Sequence, residues 1–224
     1  MINNVFSIAI DGPAGAGKST VAKGLAQRLG IVYVDTGAMY RAIGLKTLRL
    51  GIASDSAEDV IPILPSTDVS IGFIDGAQHV FLDGEDVNGL IRTQEVSNAA
   101  SKVSAIPEVR LKLIELQRKL AENTSIAMDG RDICSYVLPN AKYKFYVTAS
   151  PEQRAARRYR ELIKKGTLGG MTFNELFLEM VERDKRDSGR DFMPLKKADD
   201  AILVDTTYLD IERSIDDVMR SINE

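Results

Sequence analysis

One octapeptide near the start of the chain narrows its possibilities more than any other feature. Gly12-Pro13-Ala14-Gly15-Ala16-Gly17-Lys18-Ser19, followed by Thr20, has the form G-x-x-x-x-G-K-S. The preceding run Val5 to Ile10 is short and apolar and suits a buried strand, while Lys18 to Leu29 places Val21, Leu25 and Leu29 on one helical face. A glycine-rich loop between a strand and a helix lets backbone N–H groups converge on phosphate oxygens, with the helix N-terminus adding partial positive charge. Lys18 can then reach the β- and γ-phosphates, and the Ser19 hydroxyl can ligate Mg2+. The segment therefore predicts a nucleoside triphosphate site in an α/β fold.

The remaining elements extend that fold. Ile31 to Asp35 reads as a second buried strand and Ala38 to Leu50 as a helix, with Ser56 as the cap of a short helix in which Asp59 is the matching acid. From Asp68 to Asp86, β-favouring runs are split by Asp75-Gly76 and Asp83-Gly84, which signals tight hairpins and a small antiparallel inset. Helical patterns at Thr93 to Val103 and Glu108 to Glu122 are broken at Pro107, and strands follow at Ser125 to Met128 and Tyr143 to Thr148. Ser150-Pro151-Glu152-Gln153 and Thr172-Phe173-Asn174-Glu175 are helix starts, running to about Lys165 and Asp187, and Ala201 to Asp205 and Leu209 to Ile222 supply a closing strand and helix. The expected fold is a doubly wound, mainly parallel sheet with helices on both faces, the ligand lying at the carboxyl ends of the strands. Its organisation is read as a core of about 1–35, 123–150 and 198–224, an inset-bearing region of about 36–122 and an arginine-rich helical region of about 151–197.

Charge separates the ligand classes. Over 224 residues, 29 basic and 32 acidic side chains leave a net charge of -3, which gives the whole molecule no pull toward nucleic acid or anionic membrane. Between Arg154 and Lys197, however, twelve Lys/Arg face seven Asp/Glu. That local excess can hold an anion, although a pair of solvated basic helices has the same composition. Cys134 is the only cysteine, so no internal disulfide forms and the lone thiol reads as core filler in a reducing compartment. The start, Met-Ile-Asn-Asn-Val-Phe, shows no targeting segment, and a cytoplasmic monomer is the expectation.

A phosphate loop alone does not choose among switches, motors and kinases. No Asn-Lys-x-Asp guanine-reading sequence occurs, and the strand that would end Asp-Glu in a motor ends Met128-Asp129-Gly130. Asp129 can back a magnesium ion or cap its own loop. Arg183, Asp187 and Arg190 are spaced by four and then three residues, as on one helical face, and Arg154, Arg157 and Arg158 fall at i, i+3 and i+4. His79, the only histidine, reads as structural.

Several segments carry a resemblance over essentially the whole chain: Ile10 through Ser19, Asp35-Thr36-Gly37-Ala38-Met39-Tyr40-Arg41, Ile91-Arg92-Thr93-Gln94-Glu95-Val96 on to Ser101, Asp129-Gly130-Arg131-Asp132, and Glu182-Arg183-Asp184 through Arg190. The chain resembles the bacterial-type cytidylate kinases among the nucleoside monophosphate kinases. The resemblance implies transfer of the γ-phosphoryl of ATP, with Mg2+, to CMP or dCMP. It implies Arg41, Arg131 and Arg183 on the acceptor phosphate, Arg190 near the transferring group, Asp187 on the sugar, and Ser101, Arg110 and Asp132 on cytosine. Thr36 and Tyr40 complete its acceptor residues. The resemblance further implies that Arg154, Arg157 and Arg158 belong to a mobile lid over ATP, with Gly166 and Gly169-Gly170 as hinges. The rival readings are another small-molecule P-loop kinase, acting on UMP, AMP or a non-nucleotide, and a nucleotide-dependent switch.

Overall fold

The computed structural model describes residues 5–223, so the reading of Met1 to Asn4 as free of a targeting signal lies outside the described residues. The chain forms two compact units, one from the segments up to Val34 and from Ala121 onward, the other Asp35–Leu120.

The first unit is built on a five-stranded sheet. Its elements are β1 (Ser7–Asp11), α1 (Lys18–Leu29), β2 (Val32–Asp35), and then, after the second unit's β3–β5 and α2–α5, β6 (Ile126–Asp129), β7 (Tyr143–Thr148), α6 (Pro151–Lys164), α7 (Phe173–Ser188), β8 (Ile202–Asp205) and α8 (Ile211–Asn223). The strand order is β2-β6-β1-β7-β8. β1 runs parallel to both β6 and β7, with Ile10 opposite Asp129 and Phe145, and β7 runs parallel to β8. Parallel neighbours need long crossovers, and helices supply them. Helices on both faces leave the central strands dry, hence the unbroken apolar runs of β1 and β6. Ile8, Ile10, Phe145 and Val147 meet Val21, Leu25 and Val218 in that core. Leu25 is wholly buried there, and its truncation to Ala is expected to cost about 2–5 kcal/mol. A smaller apolar cluster of Ala155, Leu162, Leu176 and Met180 joins α6 to α7, with Ala14 packed on it.

In the second unit, α2 (Thr36–Leu50), α3 (Ala57–Val60) and a 3-10 turn (Ile61–Ser66) precede β3 (Val69–Ile74), β4 (Ala77–Leu82) and β5 (Glu85–Asp86), and α4 (Gln94–Val103) and α5 (Pro107–Glu122) close it. Both Asp-Gly pairs make two-residue hairpin turns with positive φ, 51° and 74° at Asp75-Gly76 and 51° and 83° at Asp83-Gly84. α2 packs on α4 so tightly that a Cβ on Gly44 would lie 2.8 Å from the Ala100 nitrogen, a place only glycine can fill.

Both expected helix starts at Ser150 and Thr172 are present, the second with its full reciprocal capping box. Some boundaries differ. α2 begins at Thr36 rather than Ala38, because the Asp35 carboxylate accepts from the Ala38 N–H and so caps the helix earlier. Pro107 opens α5 rather than only dividing two helices, since a first-turn residue needs no N–H partner. Arg190 does not share the helical face of Arg183 and Asp187: α7 stops at Ser188 and Gly189, so Arg190 lies beyond it and returns through Nε to the Asp187 carbonyl, 3.2 Å away.

Candidate active site

The phosphate loop leaves the carboxyl end of β1 and enters α1. Gly12 has φ 145°, and a Cβ there would stand 1.9 Å from the Val147 carbonyl oxygen, so the loop's first residue must be glycine. Gly15 and Gly17 also have positive φ. The loop's carbonyls are drawn to side chains. Lys18 Nζ donates to Pro13 O (2.7 Å), Arg154 Nη1 to Ala14 O (3.0 Å) and Thr206 Oγ1 to Ala16 O (3.0 Å). These contacts set the shape of the loop, the Ala14 N–H itself donating to Asp184, and no acidic residue stands in the first turn of α1 to repel an anion at the helix N-terminus.

Lys18 is buried. Burial, and then the Arg131 and Arg183 guanidiniums, press its ammonium well below the usual lysine range against the opposing pull of Asp129 and Asp11. A buried ammonium with two guanidiniums near it is costly alone and favourable beside a polyphosphate.

Ser19 Oγ donates to Asp129 Oδ2 at 2.9 Å, and the Tyr33 hydroxyl donates to the other oxygen, Oδ1, at 2.8 Å. Among the described residues no group of three His, Cys, Asp or Glu side chains is placed to hold a metal ion. One hydroxyl backed by one carboxylate nevertheless fits Mg2+, which keeps much of its shell as water and phosphate oxygens.

Asp11, wholly buried at the end of β1, accepts from the Ile133 and Cys134 N–H groups, each at 2.8 Å. It thereby starts a π-helical turn, Ile133–Val137, directly after Asp132. Burial, then the neighbouring Asp132 carboxylate, pushes Asp11 up to about 6. Cys134 is buried, with its thiol toward the Ala9 carbonyl, and burial raises its pKa far above the usual thiol range, as a core residue requires.

α7 brings the expected acceptor residues of this unit together. Asp187 Oδ2 accepts from Arg131 Nε at 2.9 Å. Burial works against its ionised form, but Arg131, Arg183 and Arg190 outweigh that and hold its carboxyl below the usual range. Burial likewise opposes the charge on Arg131, and Asp187 outweighs it, so the guanidinium stays protonated with a raised pKa. Of the three expected lid arginines, Arg154 and Arg157 turn inward. Arg154 bonds Ala149 O, Ala14 O and Asp184, and Arg157 bonds Thr206. Arg158 pairs with Glu161 one turn on. Gly166, Gly169 and Gly170 all have positive φ.

The second unit holds Thr36, Tyr40, Arg41, Ser101 and Arg110. Arg110 is not a surface residue: it is the bulkiest wholly buried side chain, donating to Ser104 O at 3.1 Å with its guanidinium 5.6 Å above the Tyr40 ring. Ser101 and Thr36 are buried as well. Arg41 and Arg92 both reach Asp35 Oδ2, at 3.4 and 2.9 Å. Burial opposes ionisation of Asp35, yet these guanidiniums hold it down to about 2. His79 meets Asp86 across the hairpin, the structural place expected for it.

Sequence reasoning gave no role to Asp11, Asp35, Asp184 or Thr206. Asp184 alone had a local signal, lying four residues after Met180 and three before Asp187. The others act on partners far along the chain.

A parallel sheet with a G-x-x-x-x-G-K-S loop at its carboxyl edge and a gathered set of arginines defines a P-loop kinase. The fold agrees with solved structures: a shikimate kinase from Bacteroides thetaiotaomicron overlays with a TM-score of 0.51 at 13% identity, covering 98% of this chain and 99% of that one. An uncharacterized protein from Eubacterium ventriosum overlays with a TM-score of 0.52 at 15% identity, with the same coverage. At the level of sequence, the family model described as Cytidylate kinase matches residues 8–224. The cytidylate kinase of Caldicellulosiruptor bescii is 50% identical over 96% of this chain and 94% of its own, and that of Clostridioides difficile 48% identical over 96% and 97%. The chain belongs to the cytidylate kinase family and is a nucleoside monophosphate kinase.

Proposed function

We propose that the protein transfers the γ-phosphoryl group of ATP in line to CMP and dCMP, giving the diphosphates for pyrimidine nucleotide metabolism in the cytoplasm. The observation that carries this reading is the buried Lys18 ammonium at the phosphate loop, within the field of the Arg131 and Arg183 guanidiniums. A nucleoside monophosphate is already a largely dianionic nucleophile, since its second pKa lies near ~6. It needs no strong general base. Catalysis is then a matter of alignment and of neutralising charge on the moving group, the work of fixed cations.

In this reading Gly12 to Thr20 hold the ATP phosphates, with Lys18 following the γ-phosphoryl. Ser19, with Asp129 behind it, would hold Mg2+, and the ion would supply neutralising charge to the phosphates. Arg41, Arg131 and Arg183 grip the acceptor phosphate, Arg190 stands near the transferring group, and Asp187 takes the sugar hydroxyls. Ser101, Arg110 and Asp132 read cytosine, the carboxylate accepting from the 4-amino group and the guanidinium donating to the ring. Burial of Arg110 and Asp132 supports that role, because hydrogen bonds discriminate best where water is excluded. The division of labour is a core of about 1–35, 123–150 and 198–224, a monophosphate-binding region of about 36–122 and a lid of about 151–197. Arg157 and Arg158 serve ATP from that lid.

The test is ADP release with CMP, dCMP, UMP or AMP supplied singly. Turnover is expected with CMP and dCMP and weakly, if at all, with UMP and AMP. Asp132→Ala should narrow the CMP to UMP ratio more than it lowers turnover with UMP, because uracil offers a carbonyl where cytosine offers the amino group. Rates indifferent to all four acceptors would sink the reading.

A further inference from the structure

α7 touches the ATP loop and the acceptor arginines with one face. Met180, Arg183, Asp184 and Asp187 recur at i, i+3, i+4 and i+7, the spacing of a single helical stripe. At one end of the stripe, Asp187 binds Arg131. At the other, the Met180 Cε atom would lie 2.9 Å from a Cβ placed on Gly15. Between them, Asp184 Oδ1 accepts from the Ala14 N–H at 3.4 Å, and Oδ2 accepts from Arg154 Nη1 at 2.5 Å. Arg154 in turn donates to the Ala14 carbonyl at 3.0 Å and, through Nε, to the Ala149 carbonyl at 2.9 Å. One ion pair therefore holds both polar groups of a single loop residue, and one of its members belongs to the helix that carries Arg183 and Asp187. The Arg154 side chain is 6% exposed and that of Asp184 20%, so the pair is screened from bulk water.

We propose that Asp184, acting with Arg154, is a positioning residue that sets the register between the phosphate loop and the acceptor-side cluster of Arg131, Arg183 and Asp187. This rests on the kinase reading above. Phosphoryl transfer tolerates little error in the distance between donor and acceptor, and a misplacement of about 1 Å can cost on the order of 10²-fold in rate. If Asp184 sets that distance, losing it affects the chemical step while leaving each substrate's own contacts intact. Arg154 is then a strut of the loop and not a ligand of ATP.

The experiment combines Asp184→Asn, Arg154→Gln and the double variant, with four readouts: kcat and KM with CMP, Kd for ATP by titration without acceptor, and the melting temperature. Asp184→Asn keeps the side chain's size and one acceptor for the Ala14 N–H but removes the charge that orders Arg154. The expected result is a kcat about 10- to 100-fold lower, with Kd for ATP and KM for CMP each within about two-fold of wild type and the fold intact. The double variant should be no slower than Asp184→Asn alone, since both break one device. A kcat within about two-fold of wild type for Asp184→Asn overturns the proposal. So does a loss of ATP affinity matching the loss of kcat, or an additive double variant in which Arg154→Gln weakens ATP on its own. Wild-type protein that binds ATP but does not phosphorylate CMP would instead sink the underlying reading of the acceptor.

Discussion

Around Lys18, a buried ammonium lies within the field of Arg131 and Arg183, and its protonated form is disfavoured. Around Asp35, a buried carboxylate caps α2 and is flanked by Arg41 and Arg92, and its ionised form is strongly favoured. At Lys18 the neighbouring guanidiniums add to the cost of a buried charge, and at Asp35 they offset it. Buried charge carries a large desolvation cost unless it is paired. A buried lysine whose ammonium is disfavoured gains from an anion brought beside it, whereas a carboxylate already flanked by guanidiniums does not. The contrast separates a lysine whose charge is disfavoured in the bare chain from a carboxylate whose charge is already stabilised there, and it does so without reference to any relative.

The sharpest way to break that contrast is Lys18→Met. It should lower kcat by on the order of 10²–10³-fold, while the ligand-free protein melts no lower than wild type, because the deleted charge was a burden to the fold. A substantially lower melting temperature would move Lys18 into the structural class.

The next effect is linkage. ATP at a hundred times its Kd should stabilise the wild type by about 2.7 kcal/mol, and Lys18→Met should lose most of this at the same concentration. Thermal melts with and without nucleotide measure it. Stabilisation that survives the substitution would mean that Lys18 is not what receives the nucleotide.

The smallest effect concerns acid. The Asp35 carboxyl titrates lower in the folded chain, at about 2 against an ordinary 3.8, so its stabilising contribution of about 2 kcal/mol is complete above pH ~4 and fades as the pH falls toward 2. Asp11 has the opposite sign. Its folded value of about 6 lies above the ordinary 3.8, so its ionised form costs stability at neutral pH and that cost is relieved as the pH falls through 6 toward 4. Urea melts across pH 3 to 8 should show Asp35→Asn losing the limb below pH 4 and Asp11→Asn losing the limb between 4 and 6. Profiles unchanged in both variants would mean that neither carboxylate is coupled to folding.

What could be read in advance follows the range of the interaction. The α1 boundaries, the caps at Ser150 and Thr172 and both Asp-Gly turns rest on neighbours within four residues, and each is present. The early start of α2 depends on which way the Asp35 side chain turns, and the π-helical turn at Ile133–Val137 depends on Asp11, 122 residues before it. Neither has a periodic signature. The same holds for Arg154: its place on a basic helical stripe was visible, but its inward turn is decided by Asp184 and Ala14, at separations of 30 and 140 residues.

Those separations also bear on how the protein is made. The G-x-x-x-x-G-K-S segment spans only Gly12 to Ser19, yet the side chains that hold its carbonyls and its Ala14 amide belong to Arg154, Asp184 and Thr206. A nascent chain halted before Thr206 carries the entire nucleotide motif without the groups that set its shape. The shape of the loop is therefore a property of the folded unit, complete only once Thr206, next after β8, stands beside Ala16.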